Sequence, residues 1–167
     1  HRVIFFGATS LDEKRKGIQL FIDALKTIDL TNVTLLVAGA ATLPLSYENM
    51  KLVGNLSEED LIKAYRAADI FVCPSLEDSG PTMINQAVLC GTPVVSFKTG
   101  LGSELVHTGE TGYLAAFGSS EDLAKGIDYL IRLPQAELDT ISGQCRDFTM
   151  NLFGGRDQYL QILENAL

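Results

Sequence analysis

Short β-branched or aromatic runs alternate with amphipathic stretches along the chain. Val3 to Phe6, Val33 to Ala38, Ile70 to Cys73 and Val94 to Phe97 read as strands. Alternation of this kind implies a parallel sheet with helices on both faces. After Gly17, the residues Ile18, Phe21, Ile22, Leu25 and Ile28 recur at helical spacing and form one stripe to cover a sheet face. Ser57-Glu58-Glu59-Asp60 reads as a capped helix start with acids in its first turn, followed by Leu61, Ile62, Ala64, Tyr65 and Ala68 as the buried stripe. Pro81 just inside the next helix and Gly91 just past it bracket a helix of about Thr82 to Cys90. Gly109 and Gly112 frame a turn. From Ser120 onward the pattern is helical, through Leu123, Ile127, Leu130 and Ile131 and again through Tyr159, Leu160 and Leu163. The expected fold is α/β, a single doubly wound parallel sheet of Rossmann-like type spanning 1–167, with a helical carboxyl terminus.

Composition narrows the function. Hydrophobic residues make up 46% and charged residues 20% of the 167, the balance of a soluble globular domain. A net charge of −8 repels nucleic acid and anionic membrane surfaces, so any anionic ligand must be held by local groups. The three cysteines, Cys73, Cys90 and Cys145, are an odd number without metal-type spacing, and a reducing cytoplasm is the expected compartment. No apolar run approaches the roughly 20 residues of a membrane-spanning helix. The chain opens almost directly on a strand, which leads us to expect a domain cut from something longer.

In an open parallel sheet the ligand crevice lies outside the carboxyl ends of the strands. The loop after Phe6 brings Lys14, Arg15 and Lys16 to a helix start, where cations cost a few tenths of a kcal/mol or more unless an anion is present. A solvated cluster offset by Asp12 and Glu13 is the alternative. This loop has neither G-x-G-x-x-G nor a Walker pattern. The loop after Cys73, Pro74 to Pro81, leads into a helix whose amides at Thr82 and Met83, with the Thr82 hydroxyl, form an anion site on the helix dipole. Glu77 and Asp78 stand at its lip, either as ordinary helix-start acids or as acceptors for sugar hydroxyls. His107 is assigned no role. A Ser-His-Asp order, a Cys-His pair and a metal-ligand cluster are all absent from the sequence.

Arg15-Lys16-Gly17, the run from Ala64 to Ser75 and the run from Ala87 to Val95 resemble, in order and spacing, the carboxyl-terminal domain of retaining GT-B glycosyltransferases of the group 1, family 4 type. Gly100-Leu101-Gly102-Ser103-Glu104 and the stretch from Gly109 to Leu114 look like that family too. The resemblance implies an E-x7-E motif, its first acid on the donor sugar and its second on the nucleotide ribose. Counted from both ends, the motif here reads D-x7-Q, with Asp78 first, Glu77 as the neighbouring alternative, and Gln86 second. A neutral amide forgoes a charge-assisted bond to the ribose. Where the family often has an arginine after the first-strand glycine, this chain has Ala8, which leaves Arg15 and Lys16 as cationic partners of the phosphates, with Ser79, Gly80, Thr82 and Met83 completing the nucleotide site.

By this resemblance the chain is the donor-binding half of an enzyme that moves a sugar from a UDP- or GDP-sugar to an acceptor hydroxyl, in polysaccharide or glycolipid assembly. No cofactor and no divalent metal are expected, because the cations and amides would stabilise the departing diphosphate. The expected partners are the donor, an amino-terminal domain outside this chain and an acceptor glycan or lipid-linked sugar. Any contact with the inner face of the membrane would come through that other half, and the domain alone should not turn over. A nucleotide-sugar epimerase of the same fold and a degenerate, non-catalytic nucleotide-binding module are the alternatives.

Overall fold

The computed structural model describes residues 1–7, 14–39, 45, 47–77 and 82–152. Asp78, Ser79 and Gly80, three of the expected site residues, lie outside the described residues, as do Ala8, Asp12, Glu13, Pro81 and the stripe at Tyr159, Leu160 and Leu163.

Among the described residues six strands form one parallel sheet: β1 (Arg2–Gly7), β2 (Val33–Ala38), β3 (Met50–Gly54), β4 (Ile70–Cys73), β5 (Val94–Phe97) and β6 (Gly112–Ala115). Their order is β3-β2-β1-β4-β5-β6. Phe5 of β1 sits opposite Leu36 on one side and Phe71 on the other. The helices are α1 (Ile18–Leu25), α2 (Glu58–Ala67), α3 (Thr82–Leu89), α4 (Gly100–Leu105), α5 (Ser120–Arg132) and α6 (Gln135–Leu152). Right-handed crossovers place α1 on one face and α2, α3 and α4 on the other, because the chain reverses its direction of travel across the sheet after β3. α5 returns to pack on α1, and α6 packs on α3.

Strands covered on both faces are apolar at nearly every position, Ser96 of β5 being a buried polar exception, and this makes them legible. Every residue of β4 and β5 is buried, as are Ile4, Phe5 and Phe6 of β1. Tyr65 of α2 meets the rings of Phe5 and Phe71 edge-on, with centroids 5.2 and 5.3 Å away. The Ser57 cap forms as expected, its hydroxyl accepting from the Asp60 amide at 3.2 Å.

Four expectations are corrected. β3 was not anticipated, and all its residues except Met50 are exposed. β6 was not anticipated either, and Gly112 opens that strand. A Cβ on Gly112 would lie 1.8 Å from the Val94 carbonyl oxygen, so the glycine lets β6 close on β5, while the turn itself falls at 109–111, with Glu110 N–H donating to His107 O. Ile62 is 37% exposed, and the buried residues of α2 are Ala64 and Tyr65. Ile28 lies beyond the end of α1 and packs only partly buried against the core.

At the amino-terminal edge of the sheet Arg2 acts as a clamp. Its guanidinium donates to the carbonyls of Ile131 (3.1 Å) and Leu133 (2.6 Å), pairs with Asp69 (3.3 Å) and meets Gln135. Asp69 in turn accepts from Val3 N–H at 2.7 Å. The last carbonyls of α5 thus find donors in β1, and the start of β4 is tied to both.

Candidate functional site

The strand order reverses between β1 and β4, so the crevice of the fold opens beyond Gly7 and Cys73. Two segments meet there. Lys14–Lys16 form a single 3-10 turn that leads through Gly17 into α1. From the other side, Pro74 and Ser75 leave β4 buried, Leu76 is half-buried, and Glu77 is exposed. Backbone bonds join the segments: Leu76 N–H donates to Arg15 O at 2.7 Å, and Glu77 N–H reaches the same oxygen at 3.5 Å. Gly17 is left-handed (φ 66°), and a Cβ there would fall 1.8 Å from the Pro74 carbonyl oxygen. Only glycine satisfies both demands. The basic turn and the acid-bearing loop, some 60 residues apart in sequence, are therefore held side by side.

The electrostatics of the crevice follow from where acids are missing. α1, α3 and α4 have none in their first turns, whereas α2 begins with Glu58, Glu59 and Asp60, and α5 carries Glu121 and Asp122. The acid-free helices follow β1, β4 and β5, adjacent strands at the centre of the sheet; the acid-capped ones follow β3 and β6 at its edges. Each helix start carries about half an elementary charge. The starts of α1 and α3 flank the switch point, with Lys14, Arg15 and Lys16 beside the start of α1 and Glu77 on the facing loop.

The other expected residues fall around this point. Thr82 is the first residue of α3, and the opening amides of a helix have no carbonyl one turn earlier to accept them. Met83 is half-buried, with its Cε over Gly7 at the end of β1. Gln86, also half-buried, lies three residues on and shares that side of the helix. The structure thus brings Arg15, Lys16, Glu77, Thr82, Met83 and Gln86 to the carboxyl edge of the sheet. Two glycines had no assigned role in the sequence reading: Gly17 as the contact between the two segments, and Gly7 as the floor beneath Met83. A glycine closing the first strand and another at a helix start were the available signals.

His107 packs edge-on to Phe148 (5.0 Å) and sits 3.6 Å from Glu110, away from this edge. A cavity of about 370 Å³ lies at the opposite, amino-terminal edge, lined by Arg2, Thr31, Asn32 and Arg132 among others. Its guanidiniums are committed, Arg2 to the clamp and Arg132 to Asp128 at 2.6 Å. Among the described residues no group of three His, Cys, Asp or Glu side chains could hold a metal ion, and no helix is long and apolar enough to cross a membrane.

A parallel sheet in this order, with its crevice at the reversal, defines a doubly wound domain of Rossmann type. The model of the family described as Glycosyl transferases group 1 matches residues 1–132. The chain belongs to that family. It is 29% identical over 144 residues to a phosphatidyl-myo-inositol mannosyltransferase of Mycobacterium leprae, covering 78% of this chain and 37% of that protein. Among solved structures, Anabaena HepE in complex with UDP and glucose superposes with a TM-score of 0.80 at 26% identity, covering 99% of this chain and 48% of that one. The carboxyl-terminal domain of LpcC, a group 1 family glycosyl transferase of Francisella tularensis, matches with a TM-score of 0.68 at 25% identity, over 90% of this chain and 83% of that one. The chain spans less than half the length of the mannosyltransferase and of HepE. Its sheet and helices are those of one half of a GT-B enzyme.

Proposed function

We propose that this chain is the donor-binding domain of a retaining glycosyltransferase that moves a sugar from a UDP- or GDP-sugar to an acceptor hydroxyl, in the assembly of a polysaccharide or glycolipid. The observation that carries the proposal is that the acid-free starts of α1 and α3 flank the switch point, with the Lys14–Lys16 turn beside the first. Departure of the nucleoside diphosphate is the demanding step, and charge developing on it is stabilised by donors already in place. On this reading Lys16, Arg15 and the amides of Thr82 and Met83 hold the diphosphate, and no metal ion is required. Glu77 or Asp78 meets the donor sugar, Ser79 and Gly80 contribute to the nucleotide site, and Gln86 faces the ribose. HepE, which shares this fold, has been solved with UDP and glucose, and that supports a nucleotide sugar as the ligand class. The acceptor and its pocket belong to a second domain, so the chain binds donor without transferring sugar.

Lys16→Ala tests the assignment. It should weaken UDP or GDP binding by roughly 1.5 to 3 kcal/mol, the range for hydrogen bonds to charged groups, and leave binding of the uncharged nucleoside nearly unchanged. A variant that binds diphosphate normally would remove Lys16 from the site.

A further inference from the structure

Gly7 closes β1 at the point where the sheet order reverses, yet its backbone is not among the left-handed positions, so conformation alone does not call for glycine. Space does. A Cβ built on Gly7 would lie 2.8 Å from the Cε of Met83, while its next neighbours, Phe5 Cζ at 3.5 Å and Ala38 Cβ at 3.6 Å, are at ordinary contact distance. A single methyl group at the tip of a flexible, half-buried side chain therefore lies over the end of the central strand.

We infer that the Met83 side chain is a movable cover over Gly7, which withdraws when a nucleoside diphosphate binds and so sets how closely the diphosphate approaches the β1 backbone. The inference rests on the donor-binding reading above. The Met83 side chain, on the first turn of α3, reaches the last residue of β1, the strand that the Lys14–Lys16 turn follows; a diphosphate shared between the first amides of α3 and that turn therefore competes for this space, which the methyl group and a phosphate oxygen cannot both occupy. A thioether suits this role because it is unbranched, turns about three bonds and repacks readily. The same side chain thus fills the floor of the crevice and yields it, whereas Gly7 supplies the space into which the ligand settles.

The test uses the chain labelled with 13C at its methionine methyl groups. Met83 has two internal controls, Met50 at the amino end of β3 and Met150 in α6. UDP and, separately, GDP are titrated with chelator present, and binding is followed by calorimetry on the same samples. The Met83 methyl resonance should move with saturation while those of Met50 and Met150 hold still. Gly7→Ala, whose new Cβ displaces only the Met83 methyl, should shift that resonance toward its bound position without nucleotide. If calorimetry reports binding and the Met83 resonance does not move, the cover is refuted and the donor-binding reading stands. If neither nucleotide binds, the donor-binding reading fails and takes the cover with it. The wild-type titration decides the matter even where Gly7→Ala does not fold.

Discussion

Replacing Gly17 by alanine should separate the two segments that build the crevice. Two costs add. Holding a non-glycine residue at a φ of 66° costs about 1 to 2 kcal/mol. The new methyl would also lie 1.8 Å from the Pro74 carbonyl oxygen, a backbone atom that must retreat by more than an ångström. That retreat strains the bond from Leu76 N–H to Arg15 O, worth about 0.5 to 1.5 kcal/mol. Together the loss should be about 1.5 to 3.5 kcal/mol. Gly109→Ala is the matched control, because Gly109 has a φ of 84° and its added Cβ would meet nothing within 4 Å. It should show only the conformational cost. Urea unfolding of both variants, with midpoints compared at equal m-values, gives the difference directly, and UDP binding to folded Gly17→Ala should fall by more than tenfold while Gly109→Ala binds normally. Equal destabilisation of the two variants, with binding intact in both, would refute the claim that Gly17 joins the basic turn to the β4 loop.

Three further outcomes are expected. Tyr65→Phe should raise stability by about 1 kcal/mol in urea unfolding, because the Tyr65 hydroxyl is buried without a hydrogen-bond partner among the described residues; a loss of stability would show that the hydroxyl is satisfied. Burial pushes the Cys145 thiol up to about 12 from an ordinary value near 9, so the unfolded chain releases this proton first and stability should fall from pH 9 upward, by at most about 1.4 kcal/mol per pH unit; Cys145→Ala should flatten the decline between pH 9 and 10, and unchanged slopes would contradict the assignment. Gln86→Glu should tighten UDP by about 1 kcal/mol and leave the 2′,3′-dideoxy analogue unaffected, whereas equal changes for both ligands would remove Gln86 from the ribose.

What could be read in advance followed burial. β1, β2, β4 and β5 stood out as apolar runs because both their faces are covered or nearly so. β3 lies at an edge with its last residues in solvent, so Met50-Lys51-Leu52-Val53-Gly54 carried no such signature. β6 is four residues long and begins with a glycine whose purpose is close approach to Val94, a long-range fact that local pattern cannot express. Ile62 shows the converse error, since a helical stripe fixes a face but not its width. In the crevice, the cations at the start of α1 were legible as a conflict with the helix dipole. The bond from Leu76 to Arg15 and the packing of Met83 over Gly7 were not, because each joins residues separated by more than 60 positions.

The central claim is that the switch point of this chain is a metal-independent site for a nucleoside diphosphate, and a thermal-shift and calorimetric panel of UDP, GDP and ADP with chelator present tests it most directly. At 100 times its dissociation constant, a bound ligand adds about 2.7 kcal/mol. For a domain of this size that is a rise in Tm of roughly 5 to 10 °C. UDP or GDP should produce that rise and a matching calorimetric isotherm, and the free nucleosides should not. An unchanged Tm and a flat isotherm with all three diphosphates would contradict the claim.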